Sequence, residues 1–149
     1  MNIEYRKFKN SDSDPAAELI QALYREDPSD RPIILPQIKK TFERLCRHPE
    51  LGCIMIIECG GEIAGYSILI NFWSNEFGGN VCFIDELYVK KEFRGKGIAG
   101  GFIKYLAEVK FADSVALRLE VTPANKSARK IYEKLGFKPH KNDTLDLEF

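Results

Sequence analysis

The feature that most constrains the fold is a change of pattern at Val89. Before it, apolar segments are separated by the short glycine turns Gly60-Gly61 and Gly78-Gly79-Asn80, which join antiparallel neighbours. After it, the charged run Lys90 to Arg94 leads through Gly95-Lys96-Gly97 into a segment with Ile98, Phe102, Leu106 and Val109 at helical spacing. The alternation Val115, Leu117, Leu119, Val121 follows. A strand, a crossover helix and a second strand make a right-handed parallel unit. A chain containing both patterns must build an α+β fold on a mixed sheet, mostly antiparallel, with one parallel pair beside the glycine loop.

The other elements follow from periodicity and breakers. Ile3, Tyr5 and Phe8 predict a first strand. Asp14-Pro15 opens a helix carrying Leu19, Ile20 and Leu23; Pro28 to Pro36 breaks it, and Gln37 to Arg47 forms a second with Ile38, Phe42 and Leu45. The meander strands are Cys53 to Cys59, Glu62 to Phe72 and Val81 to Val89. The third helix runs from Gly97 to about Ala112. A last helix puts Ala128, Ile131, Tyr132 and Leu135 on one face and ends at Gly136. Leu145, Leu147 and Phe149 then alternate as an edge strand that could pair across a homodimer. No repeat or linker divides the 149 residues, so residues 1–149 read as a single domain.

Charge excludes several classes of partner. Lys and Arg total 22, as do Asp and Glu, so no global field holds the chain on nucleic acid or an anionic membrane. The apolar run Ile54 to Ile57 is far short of the roughly 18 residues of a spanning helix, and Met1 to Asp12 is too charged for a secretory signal. A cytoplasmic location is expected. Cys46, Cys53, Cys59 and Cys82 lack C-x-x-C spacing and have only His48 and His140 for company, so they read as reduced thiols, with no metal site.

The chemistry concentrates at Arg94-Gly95-Lys96-Gly97-Ile98-Ala99-Gly100-Gly101. Glycines admit a ligand close to the backbone, and a helix N-terminus offers unpaired N–H groups and about half a positive charge, which together suit a diphosphate. Gly95-x-Gly97-x-x-Gly100 also matches the dinucleotide fingerprint, with Glu120 placed where a ribose-binding acid stands, so an NAD(P)-dependent oxidoreductase is one alternative. Against it, five residues separate Val89 from Gly95, whereas dinucleotide glycines turn tightly out of their strand.

More residues agree with a different ligand. Ile84-Asp85-Glu86-Leu87-Tyr88-Val89 followed by Arg94-Gly95-Lys96-Gly97-Ile98-Ala99 resembles the pyrophosphate loop of the GNAT N-acetyltransferase superfamily, with its Gln/Arg-x-x-Gly-x-Gly/Ala pattern. Asn125-x-x-Ala128-x-x-x-Tyr132-x-x-x-Gly136-Phe137 is similar to that family's helix beside the thiol of coenzyme A. The resemblance covers about Val81 to Phe137. It implies acetyl-CoA bound where two parallel strands splay apart, in an α/β/α layered fold, with acetyl passed directly to a primary amine of a small molecule or peptide. A non-catalytic acyl-CoA-binding module is the other alternative.

The resemblance also assigns roles. Backbone groups of Leu87, Tyr88 and Val89 would face the pantetheine arm, the N–H near Val89 serving as oxyanion donor, and residues 94–99 would hold the diphosphate. A lysine-like amine is only about 1 part in 2,500 neutral at pH 7, so a base is needed. The family's spacing from Val89 selects Asp85, with Glu86 in reserve; in a regular strand the two point to opposite faces. Tyr132 would protonate the leaving thiolate, though its apolar stripe also suits a core residue. Asn125 is either a ligand contact or a helix cap, with Thr122-Pro123 the competing cap. On the acceptor side, Phe72, Trp73 and Phe77 either wall a pocket or cover the sheet, and the acidic Glu26-Asp27-Pro28-Ser29-Asp30 either attracts a cationic amine or, with Arg25 and Arg31 neutralising much of it, is a solvated loop.

Overall fold

A computed structural model describes residues 1–149. Five strands form one sheet in the order β1 (Ile3–Lys7), β2 (Gly52–Cys59), β3 (Glu62–Ser74), β4 (Gly79–Val89), β5 (Ala116–Leu119). The first three pairings are antiparallel and β4 with β5 is parallel, as the change at Val89 requires. Helices α1 (Ser13–Glu26) and α2 (Leu35–Arg47) cover one face. They bury Ala16, Leu19, Ile20, Ile38, Phe42 and Leu45 against Ile54, Ile56, Tyr66, Ile68 and Tyr88. On the other face, α3 (Ile98–Glu108) packs Ile98, Phe102, Ile103 and Leu106 on Met55, Ile57, Leu69, Ile84 and Val89, and α4 (Lys126–Lys134) adds Tyr132. The architecture is the α/β/α mixed-sheet fold expected. No helix is long and apolar enough to cross a membrane.

Several element bounds differ from the sequence reading. Helix α1 starts at Ser13 behind Asp12 rather than Asp14, because the Asp12 carboxylate turns the chain by accepting the Lys9 N–H at 2.7 Å. Helix α2 starts at Leu35, since proline is tolerated in a first turn that needs no N–H from it. Helix α3 stops at Glu108, short of Ala112: left-handed Lys110 and Ala112 reverse the chain toward β5. The strand expected over Val115–Val121 is only Ala116–Leu119, flanked by an exposed Val115. Leu145, Leu147 and Phe149 form no strand and lie exposed. Their alternation supplies one apolar face, but no neighbouring strand satisfies the backbone, and an isolated strand is not stable in water.

One irregularity shapes the site. Ile68 pairs with Glu86 while Leu69 pairs with Ile84, leaving Asp85 as the extra residue of a β-bulge. The bulge inverts the alternation beyond it. Glu86 and Tyr88 therefore face α1, and Leu87 and Val89 face α3.

A candidate acetyl-transfer site

Pairing between β4 and β5 ends at Ile84 and Leu119, so beyond Asp85 the parallel strands part. The gap opens into a cleft of about 710 Å³ lined by Leu87 to Val89, the loop after Arg94, the start of α4 and the end of α1. Lys90 N–H donates to Ala64 of β3 at 2.8 Å, and main-chain groups alternate between strand edges. Leu87 and Val89 accordingly turn their amides to the open edge.

The glycine loop is built for an anion. Gly95 and Gly97 both have φ near 75°, where an L side chain is strained, and Gly97 caps α3 in the left-handed conformation. The first helical main-chain bond runs from Gly101 N–H to Gly97 at 2.9 Å. From Gly95 to Gly100, then, the amides donate to no main-chain carbonyl. Converging unpaired amides at a helix N-terminus fit a diphosphate. The Arg94 side chain does something else. Its Nε donates to Val89 O at 2.8 Å, its Nη2 pairs with Glu26 at 2.6 Å, and its guanidinium lies 5.3 Å from the Tyr88 ring centre. Lys96 stands over the Phe93 ring and does not line the cleft.

At the other end, Asn125 caps α4, its Oδ1 accepting from Ala128 N–H at 3.3 Å. Thr122, the competing cap, instead donates to Asp27 at 2.9 Å. Tyr132 lines the cleft, and its hydroxyl bonds no protein acceptor. Desolvation, then the negative charge of Asp27, raises its pKa above the usual tyrosine value, so it carries its proton at neutral pH.

The two candidate bases are in unlike surroundings, and neither lines the cleft wall itself. Glu86 faces α1 with both carboxylate oxygens occupied, by the hydroxyls of Tyr24 at 2.8 Å and Tyr66 at 2.7 Å, while Ser67 Oγ donates to its carbonyl at 2.8 Å. Desolvation raises its pKa against the two tyrosine bonds. Asp85, at the bulge, has no side-chain bond to the protein. Its surface is open to solvent, yet surrounding protein desolvates the carboxyl, and nearby Glu120 adds repulsion; both raise its pKa.

The sequence reading missed the contribution of α1. Glu26 is part of the cleft wall, not a solvated loop, and its partners are Arg94, Tyr88 and Lys91 rather than Arg25 and Arg31. Leu23 and Asp27 line the cleft too. An acid at the C-terminal end of a helix, where the dipole disfavours it, was the available signal. Trp73 and Phe77 are exposed and do not line the cleft; Phe72 lies beneath the Arg118 guanidinium.

Residues 16–137 match the family model described as acetyltransferase (GNAT) family. The chain is similar to the thialysine N-epsilon-acetyltransferase of Bos taurus, 28% identical over 139 residues that cover 88% of this chain and 81% of that one. Among solved structures, a "possible acetyltransferase" from Clostridium difficile 630 superposes with a TM-score of 0.83 at 24% identity, covering 100% of this chain and 99% of the other. A "predicted acetyltransferase with acetyl-CoA" from Clostridium acetobutylicum gives 0.78 at 20% identity, covering 99% and 96%. Neither alternative finds support in these likenesses. In the structure a helical turn at Lys91–Phe93 separates β4 from Gly95, and Glu120 lies near Asp85. By the match over residues 16–137, with the cleft geometry in agreement, the chain belongs to the GNAT acetyltransferase family, for which acetyl-CoA is the co-substrate.

Proposed function

We propose that residues 1–149 act as one catalytic domain that transfers acetyl from acetyl-CoA directly to a primary amine of a small molecule or peptide. The observation that carries this reading is the run of unpaired amides from Gly95 to Gly100 opening on the same cleft as Tyr132 and the free edge of Leu87 and Val89. The bound co-substrate supplies an activated acyl group on a good leaving thiol. The loop amides hold its diphosphate. The Val89 N–H stabilises charge that develops on the thioester oxygen, a contribution typically of about 3 kcal/mol. Asp85 accepts the proton of the incoming ammonium, directly or through water. Glu86, with both oxygens engaged, holds the bulge in shape. The relatives named for thialysine support an acceptor with a side-chain amine of lysine type.

Release of free thiol from acetyl-CoA, followed across a panel of primary amines, tests this directly. Turnover with at least one amine of the panel is expected, and no release with any of them contradicts the reading. In the same assay Tyr132→Phe, which removes only a hydroxyl with no protein partner, is expected to leave the melting temperature within about 2 °C. It should reduce kcat by roughly tenfold, a modest loss because an alkyl thiol of pKa near 8.5 leaves readily. An unchanged kcat would return Tyr132 to a packing role.

A further inference from the structure

Glu26 ends α1, where the helix dipole disfavours a carboxylate, yet both of its oxygens are engaged by groups on and after β4. Oε1 accepts from the Tyr88 hydroxyl at 2.9 Å and lies 3.9 Å from Lys91 Nζ. Oε2 takes Arg94 Nη2 at 2.6 Å. The same guanidinium stacks over the Tyr88 ring and donates to Val89 O at the free strand edge. These contacts join three parts of the fold far apart in sequence: the last turn of α1, the end of β4, and the residue that begins the glycine loop. Desolvation works against the Glu26 charge, but the bonds from Arg94 and Tyr88 outweigh it and hold its pKa below the ordinary carboxylate value, so Glu26 is ionised at neutral pH.

We propose that Glu26 is a positioning residue for the co-substrate: through Arg94 it ties α1 to the pyrophosphate loop and fixes the loop's entry angle. Arg94 acts as a strut between Glu26 and Val89, and the diphosphate is held by main-chain amides without the Arg94 side chain. This inference rests on the reading of the cleft as the coenzyme A site. It differs from that reading in what it predicts for α1, which carries no part of the glycine loop.

The test is calorimetric titration of coenzyme A into the wild-type protein, Glu26→Gln, Arg94→Gln and the double variant, each checked for an intact thermal transition. Glu26→Gln is expected to weaken coenzyme A binding about tenfold, Arg94→Gln by a similar factor, and the double variant no further than either, because one strut is lost in all three. In turnover, the Glu26→Gln loss should fall on the KM for acetyl-CoA more than on kcat. Affinity equal to or tighter than wild type in Glu26→Gln would overturn the inference, since Arg94 released from Glu26 would then be acting as a phosphate ligand. Multiplying losses in the double variant would overturn it as well. Absence of coenzyme A binding by the wild type would instead overturn the cleft assignment itself. If Glu26→Gln fails to fold, Glu26→Asp, which keeps the charge but shortens the reach to Arg94, takes its place: weakened coenzyme A binding supports the strut, and wild-type or tighter affinity contradicts it.

Discussion

Asp85→Asn is expected to lower kcat/KM for an amine acceptor by about 100-fold or more at neutral pH, within the usual span for a general base. The amide keeps the size of the side chain at the bulge but cannot take a proton. The pH profile carries the sharper signature. A base works only when ionised, and desolvation and Glu120 raise the Asp85 pKa above the ordinary aspartate value. Wild-type kcat/KM should therefore fall as the pH drops through that raised value, and the limb should be missing in Asp85→Asn. Glu86→Gln keeps a side chain able to bond Tyr24 and Tyr66 and is expected to retain the limb. Loss of the limb in Glu86→Gln with its retention in Asp85→Asn would exchange the two assignments.

The largest effect on stability is expected at Asp12. Its side chain is only 6% exposed and accepts Arg6 Nη1 at 2.8 Å, Arg6 Nη2 at 3.0 Å and the Lys9 N–H, while Arg6 also reaches Glu58. Asp12→Ala removes one member of a mostly buried network and strands the rest, which costs about 3 to 5 kcal/mol. For a chain of this length the loss is a fall in Tm of roughly 10 °C. The pH dependence has a definite sign. The Arg6 bonds, foremost, hold the Asp12 pKa below the ordinary value, so its stabilisation is complete above the unfolded pKa of about 3.9 and fades as pH falls through the lower folded value. Urea denaturation should show a constant gap between wild type and variant from about pH 5 to 8, closing toward pH 3. A gap under 1 kcal/mol at pH 7 would mean the network contributes little.

The legible parts of this protein are those governed by local chemistry. The glycines of the loop marked a backbone open to a close ligand, and Gly95 and Gly97 both sit at φ near 75°, where a side chain is strained. The spacing Ile98, Phe102, Leu106 placed the buried face of α3, and short glycine turns gave the antiparallel order. What escaped depends on tertiary pairing. Strict alternation puts Asp85 and Glu86 on opposite faces of a regular strand; one extra residue at Asp85 changes which face every later residue takes, and nothing in the local sequence marks it. Arg94 read as part of the diphosphate grip of residues 94–99 because its partner, Glu26, lies 68 residues earlier. The alternation of Leu145, Leu147 and Phe149 fits a strand, but pairing belongs to a neighbour, and these side chains have none.

Coenzyme A and pantetheine share a thiol arm, and only coenzyme A carries the diphosphate with its adenosine end. If the amides of Gly95 to Gly100 are the principal grip, calorimetry should find coenzyme A bound at least about 100-fold more tightly than pantetheine, a difference of roughly 2.7 kcal/mol. Equal affinity for the two, or no heat with coenzyme A, would contradict it.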